Sequence, residues 1–324
     1  MKNCFLIFLF VLSTLDFRAQ INLVPNPSFE DIDSCYGQPS GLGFDVFQWS
    51  GCSGWKNPTY ASSDLWCSSP VAGPYEPPNL PGYIQSCYEN DNMAAIYILD
   101  AAYPYYREYI QCELLTALQT GKKYEINFWV NCAESYNVSS SIGAYFSSLA
   151  VGNTTSFNYL PYIPQIENPE SNFITDTLGW QLISGQFYAQ GGEKFLTIGN
   201  FRDSASMVMS AVYGDSLYAS IYFHIDGVEL IEVPYSFQAP NIFTPNQDNQ
   251  NDFFSFNVKN IQNWSCAIYN RWGIKVSEFS EGTNHWDGRT SSGLECSVGV
   301  YYYVFSTFIN EKEIIEKGFV QLLR

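Results

Sequence analysis

Asn241-Ile242-Phe243-Thr244-Pro245-Asn246 opens the stretch that decides how this chain reads. An Asp/Asn-rich loop, Asp248 to Asp252, follows. Then come Asn270-Arg271-Trp272-Gly273, Trp286-Asp287-Gly288 and Gly299-Val300-Tyr301-Tyr302-Tyr303-Val304. The last residues are Lys317-Gly318-Phe319-Val320-Gln321-Leu322-Leu323-Arg324. Phe253 to Val258 and Val300 to Phe308 are dense in aromatic and β-branched residues, which suit a pleated, half-buried surface. Both faces of Val300 to Phe308 are largely apolar, which predicts a strand buried between two sheets. Asn310-Glu311 separates it from Ile314 to Leu323, the pattern of a hairpin. Short strands broken by Gly and Asn/Asp turns predict a small Ig-like β-sandwich. No residue set here has catalytic spacing, and His285 beside Trp286-Asp287-Gly288 reads as a turn residue. The loop 246–252 offers several oxygen ligands but lacks the Gly and terminal Glu of an EF-hand loop, so self-bonded Asx-turns are the better reading.

In order and spacing these five motifs resemble the gliding motility-associated C-terminal domain, the type B sorting domain of the type IX secretion system of Gram-negative bacteria. One feature departs from that family: the Gly-containing loop after Thr-Pro-Asn reads Gln247-Asp248-Asn249-Gln250-Asn251-Asp252 here. The resemblance implies an address. Residues 241–324 would engage the type IX machinery, and the chain would pass through the periplasm and the outer membrane to be displayed or released.

Upstream, Pro234 to Pro240 reads as a linker and residues 21–233 as the body of the protein. At the other end, Lys2 and the apolar run Phe5 to Leu12 read as a secretory signal peptide, residues 1–19, too short to span a bilayer. No other stretch is long enough to be a transmembrane segment. The formal charge of −17 is unevenly distributed. Residues 21–237 carry 6 Lys+Arg against 22 Asp+Glu, or −16, whereas residues 238–324 carry 7 against 9, or −2. An acidic body argues against nucleic acid or an anionic membrane as partner, since both require basic surface. Aromatics make up 17% of the chain and charged residues 15%, the mix of an extracellular β protein whose loops carry Tyr and Trp.

Of nine cysteines, eight remain once Cys4 leaves with the signal segment. An even count in an exported chain reads as disulfides. Cys112 and Cys132 flank the turn Thr120-Gly121-Lys122-Lys123. If Glu113 to Leu118 and Tyr124 to Val130 form a hairpin, the two cysteines face each other across it. Cys266 and Cys296 form the other expected bond. Cys35, Cys52, Cys67 and Cys87 allow three pairings. The rival reading, a zinc site, lacks any Cys-x-x-Cys and has only His224 and His285 to draw on.

In the body, alternation in Tyr124-Glu125-Ile126-Asn127-Phe128-Trp129-Val130 marks a strand with one polar face. Further strands are expected at Ser141 to Phe146, Trp180 to Phe187, Lys194 to Ile198 and Ile221 to Ile231. No helix-period segment of useful length occurs. Residues 35–92, rich in Gly, Pro, Ser and Trp, read as long loops. Asn22-Leu23-Val24-Pro25-Asn26-Pro27-Ser28-Phe29-Glu30 and Phe223-His224-Ile225-Asp226-Gly227-Val228-Glu229-Leu230 resemble the opening and closing strands of carbohydrate-binding modules of the β-jelly-roll, galactose-binding-like type. The resemblance implies an all-β jelly-roll sandwich over 21–233. It also implies that Glu30 and Asp226 stand where such modules hold a structural calcium ion. The bland alternative is that Glu30 caps a turn and Asp226 pairs with a neighbour.

Trp49, Trp55, Tyr60, Trp66, Tyr105 and Tyr106 lie in the loop-rich part, with Arg107 and Glu108 adjacent. Aromatic faces on loops stack on the apolar C–H faces of sugars, and Arg107 would add a fixed-charge donor to hydroxyls. The competing reading puts each ring in the core beneath the loops. No Gly-x-Ser-x-Gly elbow occurs, and two histidines in separate domains leave no Ser/His or Cys/His set. The expectation is a non-enzymatic, exported binding protein whose partner is a glycan or another extracellular ligand. The alternatives are a polysaccharide-acting enzyme with a carboxylate pair and a structural surface component that binds protein.

Overall fold

The computed structural model describes residues 20–32, 52–67, 86–100, 103, 105–132, 137–152, 156–211, 220–309 and 312–324. The expected signal segment, Cys35, Trp49 and the side chains of Trp66 and Cys67 lie outside the described residues. Among the described residues there are strands, turns and bends and no helix.

The N-terminal strands are β1 (Trp55–Lys56), β2 (Asp64–Cys67), β3 (Asn92–Leu99), β4 (Tyr109–Glu113), β5 (Lys123–Cys132), β6 (Asn137–Ser139), β7 (Gly143–Ser147), β8 (Ile166–Glu167), β9 (Gln181–Tyr188), β10 (Phe195–Gly199), β11 (Met209–Ala211) and β12 (Ile221–Val233). β5 shows why they form: Tyr124, Ile126, Phe128 and Val130 point inward and alternate with half-buried Glu125, Asn127 and Trp129, the period of a strand with one buried face. Two five-stranded antiparallel sheets result, β1-β4-β10-β7-β8 and β2-β3-β12-β5-β9. They share one core that includes Phe29, Ile96, Ile110, Phe128, Phe146, Leu196 and Phe223. Taking β3, β4, β5, β7, β8, β9, β10 and β12 as eight successive strands, one sheet runs second-seventh-fourth-fifth and the other first-eighth-third-sixth. That is the strand order of a jelly roll.

The ends of this unit meet as expected. The Leu23 amide donates to the Leu230 carbonyl (2.8 Å) and the Val228 amide to that of Pro27 (2.9 Å). β12 bulges between Asp226 and Glu229. Gly227 sits there at φ 57°, and a Cβ on it would lie 3.0 Å from ring atoms of both Trp129 and Tyr88.

The C-terminal strands are β13 (Ser236–Gln238), β14 (Ile242–Phe243), β15 (Asn257–Lys259), β16 (Ser265–Tyr269), β17 (Lys275–Ser280), β18 (Gly299–Ile309) and β19 (Lys312–Leu322). They form a sheet in the order β14-β19-β18-β16-β17 and a ribbon of β13 with β15. Phe243, Phe254, Phe256, Trp264, Trp286 and Phe305 fill a core of their own.

Four expectations are corrected. The stretch read as a linker, 234–240, contains β13, and Phe237 packs 4.4 Å from Phe305 and 4.8 Å from Phe256; an apolar ring beside an apolar core leaves water. β18 is not enclosed on both faces: Tyr301, Tyr303 and Phe305 point into the core, while Val300, Tyr302 and Phe308 are exposed on the other side. β4 and β5 lie in different sheets, so Cys112 and Cys132 do not oppose each other across a hairpin. Cys112 stands opposite Leu196 and Trp55, and Cys132 opposite Phe223. The bonds expected for Cys112 and for Cys266 with Cys296 are not formed among the described residues: Cys52, Cys87, Cys112, Cys266 and Cys296 are free thiols. Burial pushes the Cys132 and Cys266 thiols up to about 12, which keeps them protonated and inert.

Candidate functional site

Three connections meet at one end of the jelly roll. They are residues 57–63 between β1 and β2, 105–108 before β4, and 156–160 between β7 and β8. Backbone hydrogen bonds lace them together. The Tyr60 amide donates to the Ser156 carbonyl (3.0 Å), that of Arg107 to Phe157 (2.9 Å), and that of Tyr106 to Tyr103 (2.8 Å). Each connection, or the residue tied to it, carries an aromatic ring into solvent: Tyr60 (49% exposed), Tyr103 (55%), Tyr105 (69%) and Phe157 (39%). Four rings on these tied segments make an aromatic rim.

Beneath the rim lies a buried polar layer. The Tyr106 ring packs 5.5 Å from Phe157 and 6.4 Å from Tyr97. Its hydroxyl donates to Glu108 Oε1 (2.8 Å) and accepts from the Ser62 amide (3.3 Å). Glu108 Oε2 accepts from the Tyr97 amide (2.7 Å). Burial, with Asp64 and Asp100 nearby, holds the Glu108 carboxyl well above the usual carboxylate range. Asp64 accepts from the Tyr222 hydroxyl, and burial pushes it up to about 6. Arg107 is buried, with Nη1 donating to the Tyr106 carbonyl (2.9 Å) and Nη2 to Ser204 Oγ (3.3 Å).

The expected ligand-binding residues therefore divide. Tyr60 and Tyr105 stand on the rim. Trp55 is a core residue, 4% exposed, with its ring 5.1 Å from that of Phe29 and Nε1 donating to the Asn26 carbonyl (3.0 Å). Tyr106 and Arg107 are likewise enclosed and support the rim from below. Tyr103 and Phe157 are rim residues that the sequence reading passes over. Tyr103 shares an aromatic run with Tyr105 and Tyr106, a signal that points to it. Phe157 sits in a short polar stretch with no local pattern to single it out. A second aromatic group spends its faces on itself: Tyr88 stacks on Trp129 at 4.3 Å, and Trp180 Nε1 donates to the Ser86 carbonyl (3.1 Å), pinning the segment before β3 across β5.

Glu30 and Asp226 do converge, on the turn at 88–92. Glu30 Oε1 accepts from the amides of Asp91 (3.1 Å) and Asn92 (2.8 Å), and its Oε2 from Asn92 Nδ2 (2.9 Å). Asp226 Oδ2 accepts from the Glu89 amide (2.9 Å) and Oδ1 from that of Gly227 (2.7 Å). Every oxygen of the two carboxylates is thus engaged by an N–H. Among the described residues no group of three or more His, Cys, Asp or Glu could hold a metal ion. Calcium takes six to eight oxygens, and these residues fit a hydrogen-bonded clasp better than such a cage. Burial, with Glu89 adjacent, pushes Asp226 up to about 7. The loop 246–252 is self-bonded as expected: Asp252 accepts from the Gln247 and Asn249 amides (2.7 and 2.8 Å), and Asp248 from that of Gln250 (2.8 Å).

Against known proteins, the model of the CHU_C type IX secretion signal domain matches residues 237–322. That stretch marks the chain for export to the cell surface or the medium. No helix among the described residues is long and apolar enough to cross a membrane. No curated protein sequence matches the chain. Among solved structures, the K1 cleaved adhesin domain of Lys-gingipain from Porphyromonas gingivalis W83 is similar at 16% identity, over 56% of this chain and 91% of that one, with a TM-score of 0.29. A structure described as "CBM4 structure and function" is similar at 14% identity, over 65% and 99%, with a TM-score of 0.29. The K2 cleaved adhesin domain of Lys-gingipain is similar at 9% identity, over 65% and 97%, with a TM-score of 0.30. At these TM-scores none of the three bears on function.

Proposed function

We propose that the jelly roll is a non-catalytic binding module for neutral polysaccharide, carried out of the cell by the C-terminal sorting domain. The observation that carries this reading is the rim, with Tyr60, Tyr103, Tyr105 and Phe157 held in solvent by backbone hydrogen bonds between their segments. Exposed rings on rigid supports offer apolar faces to sugar C–H groups at little ordering cost. The net charge of −16 over residues 21–237 opposes anionic glycans and favours neutral ones. Glycoside hydrolysis needs two carboxyl groups flanking the scissile bond. The acids around the rim, Asp64, Asp100 and Glu108, have oxygens committed to Tyr222, Tyr103, Tyr97 and Tyr106, so they serve as supports.

The test is electrophoresis of the full chain through gels containing a β-glucan, a xylan, a galactomannan or polygalacturonate. Retardation by at least one neutral polymer, none by polygalacturonate, and no release of reducing ends is the expected result. Reducing ends whose release stops with a single Asp or Glu substitution would replace this reading with the polysaccharide-acting enzyme. No retardation in any gel would favour the protein-binding surface component.

A further inference from the structure

We propose that Glu108 is the positioning residue of the aromatic rim, and that the rim is set for binding when this carboxyl group is ionised. The inference rests on the binding function proposed above and adds how that site is held and switched.

Glu108 is placed to govern the rim without touching a ligand. Its two oxygens face two donors, the Tyr106 hydroxyl and the Tyr97 amide. Tyr106 in turn meets each of the rim segments. Its hydroxyl takes the Ser62 amide from the segment that carries Tyr60. Its ring lies against Phe157, and its own amide closes the turn onto Tyr103, with Tyr105 next to it in the chain. The ionised carboxylate accepts both bonds. A proton on Oε2 sets an O–H against the Tyr97 N–H. A proton on Oε1 forces the Tyr106 hydroxyl to give up its donor role. Either way one of the two bonds that the carboxylate accepts is lost or reversed, inside a buried layer where an unmet donor is costly.

The titratable groups facing Glu108 are Asp64 from β2, Asp100 at the end of β3, and the phenol of Tyr106. Asp64 is in turn bonded to Tyr222 of β12, whose ring meets His224 edge-on at 5.6 Å. The two acids raise the proton affinity of Glu108, as burial does. Protonation of this layer therefore falls at higher pH than for a surface carboxylate.

The experiment compares the full chain with its Glu108→Gln and Tyr106→Phe variants. The first would present an amide donor where the carboxylate stood, imitating the protonated acid. The second would remove the hydroxyl that links the carboxylate to the turn. Two readouts are followed from pH 8 to pH 4: retardation by the β-glucan, xylan and galactomannan gels, and the ring resonances of Tyr103 and Tyr105 in tyrosine-labelled protein. The wild type should lose affinity by about tenfold or more on acidification, the size of one charge-assisted hydrogen bond. The two ring signals should shift through the same inflection. Both variants should bind weakly at every pH and show no such inflection. Wild-type rings that do not titrate, or either variant retaining the wild-type pH profile, would overturn the proposal. If no gel retards the wild type yet its rings titrate and those of the variants do not, the binding function fails while the positioning role stands. Should Glu108→Gln not fold, the wild type and Tyr106→Phe decide the matter alone.

Discussion

The chain carries exposed rings in two settings, and they are built differently. On the jelly roll, Tyr60, Tyr103, Tyr105 and Phe157 project from connections between strands and are fixed by hydrogen bonds between those connections. On the C-terminal sheet, Tyr302 and Phe319 stand directly opposite each other on β18 and β19, with exposed Val300 and Ile315 on the same strands. There the strand period alone puts rings outside, because Tyr301, Tyr303 and Phe305 take the inner face. The first arrangement needs supports that cost buried charge, namely Glu108, Asp64 and Arg107. The second needs none. The surrounding charge differs as well, −16 against −2. A ring on a loop has to be held in place, and the holding residues identify the site.

The largest contrast between the regions is in what each does for delivery. Removing residues 241–324 should abolish export and leave the jelly roll in the periplasm, read by fractionation and surface proteolysis. Normal surface display of the truncated chain would contradict the division of labour. Next is the difference between rim and core within the jelly roll itself. Trp55→Ala should destabilise by about 3–5 kcal/mol in denaturant unfolding, the usual loss for a buried Trp. A change below about 1 kcal/mol, within the range of surface substitutions, would return Trp55 to the surface.

A smaller effect is expected from the buried acids. Asp226 at about 7 and Asp64 at about 6 lie above the roughly 4 of an unfolded carboxyl. Their charged forms therefore subtract stability at high pH, and the penalty lifts as pH falls from about 7 to 4. His224, lowered to about 4 by burial, works the other way, losing its contribution as pH falls from about 6.5 to 4. Comparing wild type with Asp226→Asn cancels the histidine. The variant should gain melting temperature relative to wild type on going from pH 4 to pH 8, and a difference independent of pH would contradict the assignment. The smallest effect concerns calcium at Glu30 and Asp226. With their oxygens met by N–H donors, excess chelator should leave the melting curve unchanged. A fall in melting temperature that added calcium reverses would establish the cation instead.

Much of this architecture is legible in the sequence. Alternation in Tyr124 to Val130 marks β5, and the strands at 181–188, 195–199 and 221–233 fall within a residue or two of the runs that signal them. The paired ends around Asn22 to Glu30 and Asp226 do close the jelly roll. Misreadings arise where composition looks the same for two environments. Val300 to Phe308 is apolar on both faces, yet exposed on one, because apolar content does not reveal whether a second layer covers it. Cys112 and Cys132 flank a turn symmetrically, but the chain crosses between sheets there, which spacing cannot show. Trp55, Tyr106 and Arg107 lie in stretches whose composition reads as loop and are nonetheless enclosed. Their partners, Phe29, Glu108 and Ser204, come from elsewhere in the chain or hide the side chain beneath the turn that exposes Tyr105.

In the jelly roll the rim binds and the layer beneath it supports. The most direct measurement is made on a Tyr60→Ala/Tyr105→Ala variant of the full chain, combining retardation in neutral polysaccharide gels with thermal melting. These rings contribute little to the core, so the melting temperature should stay at the wild-type value. Binding should fall by about 2 kcal/mol or more, roughly thirtyfold, as for aromatic hot spots. Retardation equal to wild type in the folded variant would contradict the account.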